Sequence, residues 1–205
     1  MSIAPVPRTA RRAWLRTLAS AALLAGVPLR AVPATVFEGV SFDDRITLAG
    51  RELVLNGVGL RAAGWFKAYV AALYLPKPAR TAAEVLEQAG PKRVRLVLLV
   101  EAPAVELAKG FDKGVLRNSR LEADTLRPRL ARMFDLMQSA GTVKKGDAVD
   151  LDFDPARGTT LLLNGRPRGE PIPGDDFYAG VLRSFVGDHP YHKKLKAGML
   201  GLPPP

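Results

Sequence analysis

The spacing of apolar residues in the first half of the chain predicts an antiparallel sheet. The segment ITLAGRELVLNG, residues 46–57, has apolar stretches on both sides of Ala49-Gly50, which indicates two strands joined by a tight turn. Residues 60–75 are rich in aromatic and β-branched side chains and carry few charges, which favours a long strand or a pair of strands that ends before Pro76. The segment KRVRLVLLVE, residues 92–101, predicts a central strand.

A second hairpin is predicted in the last third of the chain. Residues 149–154, VDLDFD, alternate strictly between apolar side chains and aspartates, which is the period of a strand with one buried and one solvated face. Residues 159–163 supply the partner strand, and Asn164-Gly165 is a strong hairpin-turn signal. We interpret the three aspartates as a solvated strand face, because a metal that prefers oxygen ligands needs more donors arranged around one point.

Apolar residues with a helical period fill the remaining regions. They recur about every 3.6 positions between residues 103 and 139, and a break near residues 118–120 predicts two helices there. Thr81 and Glu84 have the spacing of a capping box, which predicts a short helix that ends near Gly90. Further helices are expected at residues 175–186 and 190–200. This order of elements predicts an α+β fold, an antiparallel sheet covered on one face by helices.

The N-terminal segment has the order of a secretory signal: basic residues up to Arg16, an uncharged apolar run over residues 18–29, and small residues before a preferred cleavage site after Ala34. A helix needs roughly 20 apolar residues to cross a bilayer, so this run is too short for a transmembrane anchor. Residues 11–16, RRAWLR, resemble a twin-arginine signal, and an ordinary arginine-rich signal explains them equally well. We expect a signal peptide at residues 1–34, one domain at residues 35–205, and a periplasmic or secreted protein.

Charge and composition exclude several classes of function. The chain has 30 basic and 20 acidic residues, but residues 1–34 hold five of the basic ones and no acid, so the expected mature chain has a net charge of only +5. No basic cluster points to nucleic acid. The absence of cysteine excludes disulfides, thiol catalysis and thiolate metal sites. Because only two histidines are present and Pro190 lies between them, we predict neither a metal site nor a cofactor.

Arg61 is the candidate binding residue that the pattern itself provides. It begins a strand made otherwise of apolar and aromatic residues, where a guanidinium needs an anionic partner. That partner could be a bound ligand or an internal carboxylate such as Asp112, or the side chain could extend to the surface. The pattern alone favours the two structural roles.

Three segments, in the correct order, resemble the chalcone isomerase family. They are LNGVGLR followed by WFKAYVAALYL in residues 55–75, FDKGVLRN in residues 111–118, and GDDFYAGVLRSFVGDHPYHKKLK in residues 174–196. The chain is similar to the bacterial, exported, chalcone isomerase-like branch. This resemblance implies an open-faced β-sandwich, in which a large antiparallel sheet carries a layer of helices on one face and a ligand cleft lies beside the sheet.

The resemblance also implies roles for individual residues. In the plant enzymes an arginine at the position of Arg61 stabilises negative charge while a chalcone closes to a flavanone, and Asn118, Ser184 and Phe185 match further site positions. Two residues depart from the pattern: Phe111 stands where the family has its catalytic tyrosine, and Tyr69 replaces a threonine. Loss of one positioned donor commonly costs about 10² to 10³ in rate, so we do not expect an efficient chalcone isomerase.

Three functions remain open at this point. The first is binding of a small amphipathic anion such as a fatty acid, with ligand-binding residues Arg61, Tyr69, Phe111, Asn118, Ser184 and Phe185. The second is an isomerase or intramolecular lyase on a flavonoid-like or other substrate, with Arg61, Tyr69 and Asn118 as catalytic residues. The third is a protein-interaction module without a small ligand. A Tyr69 hydroxyl in the cleft beside Arg61 would favour an enzyme, and a cleft filled by side chains would favour the module.

Overall fold

The computed structural model describes residues 33–203 and Pro205. All but the last two residues of the predicted signal segment lie outside the described residues, and the preferred cleavage point after Ala34 falls at the first residue of the first strand. Among the described helices, none combines the length and the apolar character needed to cross a bilayer.

Within the described residues the chain forms eleven strands and five helices. The strands β1 to β11 span Ala34–Phe37, Val40–Asp43, Arg45–Leu48, Arg51–Ala63, Phe66–Leu75, Lys92–Leu98, Ala102–Pro103, Thr142–Val143, Ala148–Asp154, Gly158–Leu163 and Arg166–Pro167. The helices α1 to α5 span Ala82–Glu87, Ala104–Asn118, Ala123–Gln138, Asp175–Val186 and Lys193–Met199.

Seven of the strands form one sheet in the order β11-β10-β9-β6-β5-β4-β3. Every neighbouring pair in this sheet is antiparallel. Buried side chains from all five helices pack on the same face of the sheet. The predicted α+β fold, an antiparallel sheet with helices layered on one face, is confirmed.

The two faces of the sheet can be followed along β5, where side chains alternate. Ala71, Leu73 and Leu75 point towards the helices and belong to the main core. Val70, Ala72 and Tyr74 point to the other face, where Phe42 and the rest of the β1–β2 hairpin cover them in a second, smaller apolar cluster. Tyr74 also donates a hydrogen bond of 3.0 Å to the backbone oxygen of Asp43, which fixes the hairpin to the sheet.

A β-bulge at Asn56 changes which face the second half of β4 presents. Leu55 pairs with Tyr74 and Gly57 with Leu73, so Asn56 is the extra residue. Its amide nitrogen donates to the backbone oxygen of Met199 at 2.7 Å, and its amide oxygen accepts from the backbone N–H of Ala79 at 2.6 Å. After the bulge, the odd-numbered residues of β4 turn towards the helices, and these residues include Arg61.

The local signals for helices and turns correspond closely to the structure. Thr81 caps α1, with a capping box in which its side chain and that of Glu84 each accept a backbone hydrogen bond. The break between the two long helices lies at residues 119–122. Asn164 and Gly165 both have positive φ, +52° and +75°, as the hairpin turn between β10 and β11 requires. The last helix is shorter than predicted and begins only at Lys193.

The prediction of a solvated aspartate face on β9 is wrong. Asp150 is fully buried and Asp152 is 6% exposed. Arg95 holds Asp150 through two hydrogen bonds of 2.7 and 2.9 Å, and Arg93 holds Asp152 through two of 2.5 Å. The register places each arginine of β6 directly opposite one aspartate of β9, so the charges neutralise each other across the strands and can be withdrawn from water together.

Candidate functional site

A cavity of about 290 Å³ lies on the helix side of the sheet. Strands β4, β5, β6 and β9 form its floor, and α2, α3, α4 and the loop before α5 enclose it. Its lining is mainly apolar and includes Leu96, Leu107, Phe111, Met137, Leu151 and Phe185. The exposed side chains of Phe66 and Glu106 also line it and mark the side on which it opens.

Arg61 lies in the wall of this cavity, on the last part of β4. A second register shift separates Arg61, which pairs with Tyr69, from Ala62, which pairs with Lys67. The guanidinium donates one hydrogen bond of 3.1 Å to the backbone oxygen of Ala62, and no carboxylate of the described residues forms an ion pair with it. The internal pair with Asp112 is therefore not formed, and a half-buried cation lines an apolar cavity without an anionic partner.

Tyr69 lines the cavity directly across the strand pair from Arg61. Burial raises the pKa of its hydroxyl well above the ordinary value, Tyr191 adds to this effect, and the positive charge of Arg61 opposes it. The hydroxyl therefore stays protonated at neutral pH and is a hydrogen-bond donor rather than a base.

Tyr191 brings a second hydroxyl to the cavity, and the sequence did not identify it as a site residue. Its hydroxyl donates a hydrogen bond of 3.2 Å to the backbone oxygen of Phe111. Burial raises its pKa to about 12, and Asp112 contributes in the same direction while Ser184 and Arg61 oppose. The sequence feature that could have identified Tyr191 is the HPYH run in the third family-like segment, where an aromatic residue follows the end of a helix.

Gly114 makes the position of Tyr191 possible. A Cβ atom at residue 114 would lie 2.3 Å from the ring and the hydroxyl of Tyr191, far inside van der Waals contact. On its other side the Tyr191 ring meets Phe185 edge to face, with ring centroids 5.1 Å apart. Tyr191 is therefore held between α2 and α4, and its position is fixed by packing as well as by its hydrogen bond.

His192 and Asp112 add buried polar atoms near the same end of the cavity. Burial lowers the pKa of His192, and the positive charges of Arg61 and Lys194 lower it further. Burial raises the pKa of Asp112. Nδ1 of His192 and Oδ1 of Asp112 have no hydrogen-bond partner among the described residues. The region around Arg61 thus contains hydrogen-bonding atoms that no contact among the described residues uses.

The structure places the six predicted ligand-binding residues in two groups. Arg61, Tyr69, Phe111 and Phe185 all line the cavity. Ser184 and Asn118 do not, so the ligand-binding role predicted for them stays a prediction.

Ser184 is fully buried, and its hydroxyl donates a hydrogen bond of 2.6 Å to the backbone oxygen of Val181. Its own backbone oxygen accepts from the N–H of Tyr191 at 3.0 Å. Ser184 therefore contributes to the site through its backbone, which holds the residue that carries the second hydroxyl.

Asn118 anchors the loop between α4 and α5. Its amide nitrogen donates to the backbone oxygens of Gly114 at 2.9 Å and His189 at 2.8 Å, and its amide oxygen accepts from the N–H of His189 at 3.2 Å. Its side chain lines a separate cleft of about 420 Å³. The side-chain amide of Asn118 therefore positions the loop that carries Tyr191 and His192.

The sequence profile of the chalcone isomerase-like family matches residues 34–201. The chain belongs to this family. It is also similar to the crystal structure of a fatty-acid binding protein from Arabidopsis thaliana, with a TM-score of 0.65 and 18% sequence identity over 82% of this chain and 96% of that one. At this identity the likeness concerns the fold. A comparison with curated protein sequences gives no match.

The chalcone isomerase-like site of this chain combines the cation of Arg61, the neutral hydroxyl of Tyr69, and the hydroxyl of Tyr191, which donates its proton to the backbone oxygen of Phe111. Arg61 can offer two parallel N–H groups to a carboxylate, and the hydroxyls of Tyr69 and Tyr191 stay protonated because burial raises both pKa values. Phe111 adds an apolar ring to the cavity wall. The arrangement suits recognition of an anion that carries an apolar body.

Proposed function

We propose that this chalcone isomerase-like protein binds a small amphipathic anion, and that the ligand class is fatty acids. The observation that carries the proposal is the guanidinium of Arg61, which lines an apolar cavity and has no carboxylate partner among the described residues. A guanidinium in such surroundings is strongly stabilised by a carboxylate that it can hold with two hydrogen bonds.

The shape and lining of the cavity support this ligand class. Ligand pockets commonly have volumes of about 300–1,000 Å³ and are mainly apolar with a few well-placed polar groups. The cavity of about 290 Å³ lies at the small end of this range, and it opens beside Phe66, so part of a long acyl chain would extend past the opening. The fatty-acid binding protein of Arabidopsis thaliana, which shares the fold, lends further support.

The proposal is tested by titrating fatty acids against the protein and its Arg61 variants. Arg61→Lys keeps the charge but loses the planar pair of donors, so affinity should fall clearly. Arg61→Met removes both, and the dissociation constant should rise roughly tenfold to a hundredfold, because hydrogen bonds to charged groups contribute about 1.5–3 kcal/mol. Native mass spectrometry of the purified wild-type protein should detect a co-purifying fatty acid.

Two controls separate a ligand role from a structural one. Arg45, whose side chain is 59% exposed and pairs with Glu52 on the surface, provides the matched variant Arg45→Met, which should bind like wild type. The unliganded Arg61→Met protein should be as stable as wild type or more stable, because an unpaired, half-buried charge is removed. A variant that loses several kcal/mol of stability and still binds fatty acid normally would contradict the proposal.

A second candidate function, an isomerase or lyase, draws support from one observation: Tyr69 lies beside Arg61 in the cavity wall. Against it, the amide of Asn118 is engaged by the α4–α5 loop, and Phe111 has no hydroxyl. We expect no conversion of a simple chalcone to flavanone above the uncatalysed rate. Turnover near that of plant enzymes would establish the enzyme. The open cavity counts against a module that binds only proteins.

We also propose that the protein acts after export, which the order of residues 1–34 supports. N-terminal sequencing of the protein from the periplasmic or secreted fraction should begin at or near Thr35. Recovery of soluble cytoplasmic protein that retains Met1 would contradict export.

A further inference from the structure

The turn between β4 and β5 presents two aromatic side chains to solvent. Trp65 is 92% exposed and Phe66 is 45% exposed. The two rings meet edge to face, with centroids 6.4 Å apart, so they form one apolar tip. We call Trp65 and Phe66 the aromatic tip. Large aromatic residues are seldom left exposed together without a binding role.

The aromatic tip lies at the opening of the cavity. Phe66 lines the cavity on one side, and on the other it lines a shallow surface cleft together with Trp65. Whatever contacts the aromatic tip therefore also lies beside the opening through which an apolar molecule would enter.

Two basic side chains and one acidic side chain lie beside the aromatic tip. Lys67 and Lys145 line the same shallow cleft as Trp65. Glu38 pairs with Lys67 at 2.6 Å, whereas Lys145 forms no ion pair within the described part of the chain. Tryptophan beside lysine is the combination that membrane proteins place at the level of the lipid headgroups, where the indole partitions into the interface and the ammonium attracts anionic lipids.

The small area of the aromatic tip favours a lipid surface over a protein partner. A stable protein interface needs about 800 Å² from each partner, and a single buried aromatic side chain supplies only about 150–250 Å². Two side chains at the end of a hairpin are too few for such an interface. They are sufficient for weak and reversible insertion into a bilayer, where each apolar group contributes separately.

We propose that Trp65 and Phe66 insert into the interface of a bilayer that contains anionic lipids, so that the opening of the cavity faces the membrane. This docking does not depend on the ligand or on the role of Arg61. If the proposed fatty-acid binding is also correct, the ligand would pass between membrane and cavity without crossing bulk water.

The experiment uses the full chain with the substitution Trp14→Phe, which leaves Trp65 as its single tryptophan. Vesicles of phosphatidylcholine and phosphatidylglycerol are added, with and without brominated acyl chains. The emission of Trp65 should shift to shorter wavelength, and the brominated lipids should quench it. Because the emission comes from Trp65 alone, the signal reports the aromatic tip even if residues 1–34 also bind lipid.

Vesicle sedimentation with matched variants completes the test. Trp65→Ser should weaken partitioning about tenfold, and Lys145→Glu should weaken it only when phosphatidylglycerol is present. Leu116→Ser, which changes an exposed apolar residue of α2 that is 49% exposed, should have no effect. All variants carry the same residues 1–34, so differences between them isolate the aromatic tip.

Two results would overturn the proposal. In the first, the Trp14→Phe protein sediments with vesicles while Trp65 emission is neither shifted nor quenched. In the second, Trp65 emission shifts with protein concentration in the absence of lipid, which would make the aromatic tip a contact between two copies of the chain. Neither result bears on fatty-acid affinity, so the two proposals fail separately.

Discussion

The hydroxyl of Tyr191 donates a hydrogen bond to the backbone oxygen of Phe111, which joins the loop before α5 to the middle of α2 across the end of the cavity. Both residues line the cavity, Phe111 with an apolar ring and Tyr191 with a ring that carries a hydroxyl. Gly114 leaves the space that the Tyr191 ring needs.

Tyr191→Phe removes this hydroxyl and keeps the ring. We expect the free energy of unfolding to fall by about 0.5–1.5 kcal/mol, the usual net contribution of one hydrogen bond. Affinity for a carboxylate ligand should also fall, by up to about tenfold, because the hydrogen bond that positions the Tyr191 ring in the cavity wall is lost. Urea denaturation and ligand titration measure the two effects.

Tyr178→Phe is the matched control for this prediction. Tyr178 is buried, its hydroxyl donates to the backbone oxygen of Leu151 at 2.9 Å, and it does not line the cavity. The Tyr178 variant should lose a similar amount of stability and keep its ligand affinity. Equal affinity of the two variants would show that the hydrogen bond of Tyr191 does not contribute to the ligand site.

The pKa of His192 reports the charge of Arg61 directly. Burial lowers this pKa, and the positive charge of Arg61 lowers it further, so Arg61→Met should raise it towards the ordinary value. A bound carboxylate offsets the same charge and should raise it as well. The chain has only two histidines, so the pH dependence of two imidazole resonances in the NMR spectrum is a clear measurement, with His189 as the reference.

The same shift has a consequence for stability. Because the folded pKa of His192 lies below the unfolded value, the unfolded chain binds more protons at mildly acidic pH. Stability should therefore fall as the pH drops below about 6.5, and His192→Gln should flatten this part of the profile. A profile of equal slope in the wild type and the variant would contradict the assignment.

Local signals made much of the fold predictable from the sequence. The capping box at Thr81 and the Asn164-Gly165 turn need only residues that are close in sequence, and both occur as expected. The placement of Arg61, Tyr69, Phe111 and Phe185 around one cavity follows the family resemblance. The capping box and the turn depend on contacts between residues close in sequence, and the placement of the cavity residues depends on a fold that members of the family share.

Features that depend on distant partners were not predictable in the same way. The bulge at Asn56 is stabilised by Ala79 and by Met199, 143 residues further along the chain. The alternation of residues 149–154 identifies a strand, but it does not reveal that arginines of β6 lie opposite the aspartates. Tyr191 reaches the cavity because Asn118 holds its loop, and that contact also joins residues far apart in sequence.

Gly59→Ala should destabilise the protein markedly. A Cβ atom at this position would lie 2.3 Å from the backbone oxygen of Leu195, because α5 packs directly on the backbone of β4. Overpacking of this kind typically costs about 1–3 kcal/mol, and here backbone rather than a flexible side chain would have to move. Thermal or urea denaturation measures the loss.

Gly110→Ala provides the opposite expectation within the same chain. Gly110 is an exposed position in α2, and a Cβ atom there would meet nothing within 4 Å. Alanine is favoured over glycine inside a helix by about 1 kcal/mol, so this variant should be more stable than wild type. A Gly59→Ala protein as stable as wild type would put the close contact between α5 and β4 in doubt, whatever the result for Gly110→Ala.

The buried pair of Arg95 and Asp150 should show strong energetic coupling. The side chain of Asp150 is completely buried, whereas that of Arg95 is 26% exposed, so the two partners differ in what their loss leaves behind. Arg95→Met removes both hydrogen bonds to the buried carboxylate of Asp150 and leaves it only Arg93, 4.0 Å away, so this change should cost about 3–5 kcal/mol. Asp150→Leu leaves Arg95 without its carboxylate, but this arginine can still reach water, so the change should cost less.

The double variant should be more stable than the sum of the two single losses predicts, because neither charge of the pair remains. A double-mutant cycle measured by urea denaturation should give a coupling free energy of about 1–3 kcal/mol. The surface pair of Arg45 and Glu52, with side chains 59% and 60% exposed, is the matched cycle and should give less than about 1 kcal/mol. Equal coupling in the two cycles would mean that burial adds nothing to the pair on β6 and β9.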